Sequence, residues 1–448
     1  MNETIFRKYD IRGIVDEDLT DEVVTDIGLA FGSLMRREGR KTMAVGRDCR
    51  LSSERFRDDI IRGLLSTGCN VIDIGVVPTP LLYFAIHHLE TDGGVMITGS
   101  HNPPDYNGFK LCRGLMALFD REITGIRDII VGRRFEDGEG FVREQGVLES
   151  YLEKVKRFIG LQRPLRVAVD AGNGVAGLVA PRLYRELGCE LTELYTEPDG
   201  NFPNHHPDPT VPENMVDLIA EVKRGGYDIG IGFDGDGDRV GIVDRDGTLL
   251  FGDQLMVLLS REVLARLPGS TIIFDVKCSQ NLVDDIRKHG GVPLMWRTGH
   301  SFIKTKMAES GAPLAGEMSG HLFFEDRFFG FDDATYAGAR LMEIAAADDR
   351  SFGEMLSDLP PVYNTPEIKF PCAEEKKFAA VERVTEHFRG SHEVLDIDGA
   401  RINFGDGWGL ARASNTTPNI ILRFEAQSPE RLEEIQRLVT DVVAEHAG

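Results

Sequence analysis

Short apolar runs alternate along most of the chain with stretches whose apolar positions recur at helical spacing. Residues 42–46 (TMAVG) predict a strand. Residues 52–66 predict a helix, with Ser52 or Ser53 as N-cap and Phe56, Ile60, Ile61, Leu64 and Leu65 on one face. Residues 71–74 predict the next strand, 80–88 a helix and 95–97 a further strand. After a charged helical segment at 146–157 and the break Gln162-Arg163-Pro164, the pattern restarts. It runs through strand 165–170, helix 178–187, strand 190–194, helix 213–223 and strand 228–233. A third round has strand 271–276, helix 281–289, strand 292–296, helix 302–309 and an apolar piece at 313–315. Such alternation predicts mostly parallel sheets with helices packed on them.

Beyond the linker-like prolines at 360, 361 and 366 the pattern changes. Strands are predicted at 368–370, 394–397, 400–404, 408–411 and 420–424, with turns at Asp398-Gly399 and Gly405-Asp406-Gly407 and helices at 375–388 and 430–444. Four units follow: 1–150, 151–252, 253–365 and 366–448. The expected fold class is α/β, with three similar mixed α/β domains plus a C-terminal α+β domain.

Composition narrows the partners. Lys plus Arg is 51 against 73 for Asp plus Glu, a formal charge of −22. That balance argues against nucleic acid or an anionic membrane. No apolar run approaches the ~20 residues of a membrane span, and the start MNETIFRKYDIRG has no signal-like apolar region. Six scattered cysteines without a CxxC pair read as free thiols of a reducing cytosol.

Four polar loops carry candidate chemistry. TGSHNPP at 98–104 follows an apolar strand. Gly99 and the two prolines turn the chain there, so Ser100 and His101 are expected on a stiff loop at a strand's end. DGDGDR at 234–239 sets three carboxylates at alternate positions of a loop expected to be extended, where they repel one another unless a hard cation binds. Magnesium suits such a substrate site. An EF-hand loop would need Gly and Glu where Arg239 and Arg245 stand. GEMSGH at 316–321 offers Glu317 and Ser319, which share a side if the loop is extended. A carboxylate and a hydroxyl together suit vicinal sugar hydroxyls. RASNTTP at 412–418 offers a guanidinium and several hydroxyl and amide donors, as a phosphate requires. The stretch FRKYDIRG at 6–13, taken alone, reads as a solvated edge strand. There is no GxSxG hydrolase signature. The combination describes phosphoryl transfer on a phosphosugar.

With these motifs in order, TGSHNPPDYNGFK, GFDGDGDR, GEMSGH and RASNTTP, the chain resembles the α-D-phosphohexomutases, specifically the bacterial phosphomannomutase/phosphoglucomutase type. The resemblance spans essentially the whole chain and implies four domains around a central cleft. It implies a phosphoserine at Ser100, with Mg²⁺ held by Asp234, Asp236, Asp238 and an oxygen of the Ser100 phosphate. Arg239 would order the phosphoserine and substrate. Glu317 and Ser319 would hold the sugar 3- and 4-hydroxyls, and Arg412, Ser414, Asn415 and Thr416 the phosphate that is not transferred. Tyr9, Lys277, His300 and His321 match ligand-contact positions. Arg12, Lys110 and His321 match candidates for proton transfer. The implied activity is the reversible interconversion of hexose 1-phosphate and hexose 6-phosphate, of mannose and/or glucose, through a hexose 1,6-bisphosphate that is also an activator. Phosphoglucosamine mutase is the alternative, and Met318 between Glu317 and Ser319 favours the hexose enzymes. Small phosphosugars are the expected partners, for a cytoplasmic monomer or homodimer.

Overall fold

The computed structural model describes residues 1–414 and 417–447. The apolar runs become the central strands of four separate sheets. In the first unit, Asn70–Val76, Thr42–Arg47 and Gly93–Ile97 lie parallel, and Tyr106–Arg113 returns antiparallel beside Gly93–Ile97. The strand Ile11–Ile14 closes that side, antiparallel to Tyr106–Arg113. In the second, Glu190–Leu194, Arg166–Asp170 and Ile229–Phe233 are parallel and Val240–Asp244 returns antiparallel. In the third, Val292–Trp296, Thr271–Asp275 and Leu314–Gly316 are parallel and Leu322–Phe324 returns. The sheets are therefore mixed rather than mostly parallel. The antiparallel return strands follow the polar loops directly, so no helical connection announces them in the sequence.

The fourth sheet is wholly antiparallel. Its long strands Gly407–Ala413 and Asn419–Ala426 form a hairpin against Ala400–Asn403 and Glu393–Leu395. Tyr363–Asn364 and Ile368–Pro371 both pair with Asn419–Ala426. The proline-bounded linker thus contributes a short strand to this sheet.

One feature recurs in all four units. Each polar loop joins two antiparallel neighbours: 97 to 106, 233 to 240, 316 to 322 and 413 to 419. In the first three units the incoming strand of that hairpin is also parallel-paired, so the loop leaves from the carboxyl end of a parallel sheet, where ligands bind in open α/β sheets.

Helix Ser53–Ser66 buries Phe56, Ile60, Ile61 and Leu64 as its stripe predicts, while Ser52 at its N-cap makes no side-chain cap bond. The Ser52 hydroxyl accepts instead from Asn107 Nδ2 at 2.8 Å. One buried apolar cluster runs through units one to three, joining Tyr83, Phe84, Tyr151, Tyr184, Phe274 and Tyr336. The fourth unit has its own cluster around Val384, Leu422 and Val439, and meets the third through a small one of Val276, Trp408 and Leu410. Among the described residues no helix is long and apolar enough to cross a membrane.

Candidate active site

Ser100 sits at the start of the first loop with φ 47°, the left-handed region that a non-glycine residue occupies at a cost. Thr98 Oγ1 accepts from the Ser100 amide at 2.8 Å. The serine hydroxyl donates to Asp234 Oδ2 at 3.0 Å and lies 3.1 Å from His101 Nδ1. Burial pushes the His101 imidazole well below its ordinary pKa, and Arg239 and Arg12 push the same way.

The second loop is a tight turn rather than an extended segment. Gly237, at φ 71°, donates its amide to the Asp234 carbonyl at 3.1 Å. The turn still brings Asp234, Asp236 and Asp238 together, with ligand oxygens within 4.8 Å of one another and all three residues fully buried. Asp234 Oδ1 accepts from the amides of Asp238 and Arg239 at 3.0 and 3.1 Å. Thr79, at the start of a first-unit helix, donates to Asp236 Oδ2 at 2.6 Å. Lys110 Nζ pairs with Asp236 at 3.0 Å and with Asp238.

Two like charges ~4 Å apart repel by about 4 kcal/mol at an effective dielectric of 20. Three buried carboxylates therefore demand cations. Burial, then Asp238 and Asp236, drive Asp234 well above the usual carboxylate range. Burial opposes ionisation of Asp236 too, but Lys110 and the Thr79 hydroxyl outweigh it and hold that carboxyl low. Lys110 in turn stays protonated, because Asp236 and Asp238 outweigh its own burial. Asp236 Oδ1 and Asp238 Oδ1 are buried without a hydrogen-bond partner. Two orphaned oxygens and an all-carboxylate donor set fit a hard divalent cation.

The third loop is also a turn, with the Gly320 amide donating to the Glu317 carbonyl at 3.0 Å. Glu317 and Ser319 share a side because the turn folds them together: Ser319 Oγ donates to Glu317 Oε2 at 3.1 Å. Glu317 Oε1 accepts from the Gly299 amide at 2.6 Å. A Cβ at Gly299 would lie 2.7 Å from the Tyr9 ring, so only glycine admits the first unit here. Tyr9 Oη donates to the Thr298 carbonyl at 2.9 Å. Arg239 Nε donates to His321 Nε2 at 3.0 Å, which places the ring proton on Nδ1, 3.0 Å from Asp332 Oδ2. Asp332 also pairs with Lys304 at 3.0 Å and lies 4.0 Å from His300 Nδ1. It forms a second close group with Asp238 and His321. The protonated face of that imidazole and the lysine suit an orienting role for Asp332.

The fourth loop begins at Arg412, whose Nε donates to Asp398 Oδ2 at 2.6 Å. Asp398 Oδ2 also accepts from the Thr298 amide at 3.0 Å, tying the fourth unit to the third. Ser414 Oγ accepts from the Thr417 amide at 3.1 Å. Asn415 and Thr416 lie outside the described residues. Lys277 Nζ pairs with Glu367 at 2.7 Å. Arg12 donates to Asn102 Oδ1 at 2.8 Å and pairs with Asp10 at 2.6 Å, so it faces the Ser100 loop rather than solvent.

Contacts thus join the loops pairwise: Ser100 to Asp234, Arg239 to His321, Tyr9 to Thr298, and Thr298 to Asp398. Sequence reasoning missed Arg50, Thr79, Asp332, Glu367 and Asp398 as partners of this region. The available signal was position: Arg50 and Thr79 follow the carboxyl ends of the strands Thr42–Arg47 and Asn70–Val76.

The family described as phosphoglucomutase/phosphomannomutase matches in all four of its parts. Alpha/beta/alpha domains I, II and III match residues 3–136, 149–247 and 251–363, and the C-terminal domain matches 367–442. The chain belongs to the phosphoglucomutase/phosphomannomutase family. It is 49% identical over 434 residues to a phosphomannomutase/phosphoglucomutase of Pseudomonas aeruginosa, covering 97% of this chain and 94% of that protein. It is 47% identical over 444 residues to a phosphoglucomutase of Neisseria gonorrhoeae, covering 98% and 96%. The crystal structure of a phosphoglucomutase/phosphomannomutase family protein from Burkholderia thailandensis superposes with a TM-score of 0.94 at 46% identity, covering 100% and 99% of the two chains.

Proposed function

We propose that the protein interconverts the 1- and 6-phosphates of mannose and glucose, with Ser100 as the residue that carries the phosphoryl group. The observation that carries this reading is the Ser100 hydroxyl hydrogen-bonded to one of three buried, mutually close carboxylates. Phosphoserine 100 gives its phosphoryl group to the free hydroxyl of a bound hexose monophosphate. The sugar O–H proton leaves to a base, and the Ser100 oxygen takes a proton as the P–O bond to it breaks. Lys110, Arg12 and His321 are our candidates for these transfers; Lys110 and Arg12, as cations, can serve as proton donors and not as the base. The hexose 1,6-bisphosphate so formed reverses its orientation and returns its other phosphate to Ser100.

Asp234, Asp236 and Asp238 would hold a magnesium ion, which when bound would supply positive charge against the oxygens of the transferred group. Arg239, oriented by its contact with His321, adds a fixed guanidinium to the same region. Glu317 and Ser319 present a carboxylate and a hydroxyl to vicinal sugar hydroxyls, which glucose and mannose share at carbons 3 and 4. Arg412, Ser414, Asn415 and Thr416 are the proposed clamp for the stationary phosphate, and Lys277, His300 and Tyr9 are proposed as further contacts to the ligand. Such a clamp reads phosphate and leaves sugar identity to Glu317 and Ser319, so both sugars are substrates.

The test is phosphorus NMR of the purified protein with Mg²⁺, a trace of glucose 1,6-bisphosphate, and the 1-phosphates of mannose, glucose and glucosamine supplied separately. Growth of the 6-phosphate signal from mannose and glucose is the expected result. Fastest turnover of glucosamine 1-phosphate overturns the sugar assignment, and release of free phosphate overturns the mutase reading.

A further inference from the structure

Between the strand Thr42–Arg47 and the helix Ser53–Ser66 the chain reads DCRLS, and none of the chemistry above uses Arg50. Its side chain is entirely enclosed. Nη2 donates to the Ser100 and Asn102 carbonyls at 2.8 and 2.6 Å. Nη1 donates to the Pro103 and Tyr106 carbonyls at 2.5 and 2.9 Å. Four carbonyls of one loop converge on one planar cation, an arrangement that a guanidinium fork satisfies and an ammonium does not.

Asp48 completes the clip. Its Oδ2 lies 3.2 Å from Arg50 Nε and accepts from the Gly99 amide at 3.1 Å, while Oδ1 accepts from the Arg50 amide and Ser53 Oγ. A Cβ at Gly99 would lie 2.4 Å from Arg50 Nε, so this glycine makes room for the guanidinium. The Phe202 ring of the second unit covers the guanidinium, 5.1 Å from ring centre to its carbon. The clip therefore spans both sides of Ser100, the residue at φ 47°. A left-handed serine persists only where its surroundings over-determine it.

We infer that Arg50 is the positioning residue that holds Ser100 in its left-handed conformation with Oγ aimed at Asp234. The inference rests on the reading of Ser100 as the phosphoryl carrier. Arg50 touches none of Glu317, Ser319, Lys277 or Arg412. Its loss misaims the transferred group without loosening the grip on the sugar, so the effect falls on kcat and spares KM.

The experiment compares wild type, Arg50→Lys and Thr98→Val as full-length proteins, with Ser100 phosphate content fixed by intact mass. A displacement of ~1 Å at a reacting group costs about 100-fold. Arg50→Lys is expected to lower kcat with glucose 1-phosphate by about 100-fold, to leave KM within about 3-fold, and to shift and sharpen the phosphoserine phosphorus resonance. Thr98→Val removes only the bond to the Ser100 amide. It is expected to move the same readouts in the same direction, with kcat falling about 10-fold, which shows that they follow the aim of Ser100. If Arg50→Lys does not fold, Asp48→Asn, which keeps Arg50 and removes the charge paired with it, carries the test with the same expected direction. A folded Arg50→Lys variant with an unchanged resonance and kcat, or a loss that appears in KM alone, overturns the inference. Wild-type protein that transfers phosphate without ever carrying it on Ser100 overturns the reading of Ser100 itself, a result the mass measurement separates from the first.

Discussion

Ser100 Oγ donates to Asp234 Oδ2 at 3.0 Å across 134 positions of sequence. The bond is made between loops of two different sheets, so the Ser100 hydroxyl and the three carboxylates are aligned only when the first two units are packed together. On the proposed function, replacing Ser100 by Ala removes the phosphoryl carrier and leaves the loops around Glu317 and Arg412 intact. Turnover is expected to fall by at least about 1,000-fold, with hexose phosphate affinity by calorimetry within about 3-fold of wild type. Retained turnover in that variant points to a phosphate carrier other than Ser100.

Thr79 bonds Asp236 Oδ2 through its hydroxyl at 2.6 Å, and its amide donates to the Asp236 carbonyl at 2.9 Å. It orients a carboxylate without offering itself to the cation. Partners of this kind change metal affinity by about 10–100-fold. Thr79→Val is expected to raise the Mg²⁺ concentration for half-maximal activity by at least about 10-fold, with kcat at saturating Mg²⁺ much less affected. Chelation should abolish activity in both proteins and added Mg²⁺ restore it. An unchanged Mg²⁺ titration would show that the hydroxyl has no part in holding the site.

Glu317 is pinned by the Gly299 amide at 2.6 Å and carries Ser319 with it. Burial, together with Asp275, raises its pKa against the pull of His321 and Lys277. Glu317→Gln keeps the shape and removes the charge-assisted hydrogen bonds available to sugar hydroxyls. A fall in kcat/KM of about 10–100-fold is expected for both glucose and mannose 1-phosphates. A loss confined to one sugar would show that the pair does not read the hydroxyls the two sugars share.

Asp333 accepts from the Tyr336 amide at 2.9 Å and from Tyr151 Oη at 2.8 Å, joining the third unit to the helix Leu148–Phe158. Burial lifts its pKa from 3.8 to about 7. Between those values the folded protein keeps the proton and the unfolded chain does not, so stability falls as pH rises from about 4 through 7. Asp333→Asn mimics the neutral form at every pH. The melting temperature of the variant relative to wild type is therefore expected to rise between pH 5 and pH 8. A difference that does not vary with pH would mean that Asp333 is ionised in the fold throughout.

Much of this architecture was legible because turns and amphipathic stripes are local. The strand 229–233 running into DGDGDR, and the stripe of Phe56, Ile60 and Leu64, needed no partner to be recognised. Helix Asp21–Arg37 carries a local signal of the same kind in its Thr20 cap and its buried Val24, Ile27 and Phe31. Helix Gly252–Arg266 was harder: Leu255, Met256, Val257, Leu258 and Leu259 are all buried, so that run has no polar position to set a period.

The sequence by itself determined the four polar loops, their order and the residue types that each offers, because glycine, proline and alternating carboxylates act within a few residues. Tertiary structure alone decided which loops meet. Arg50 shares no motif with Ser100, and Asp332 none with His321, yet each pair is within contact distance. The reason is that sheet register and the packing between units fix distances across the whole chain, and a local pattern carries no information about them. The same packing encloses Arg50 and the three aspartates, and burial is what turns ordinary polar residues into a clip and a carboxylate cluster that fits a cation.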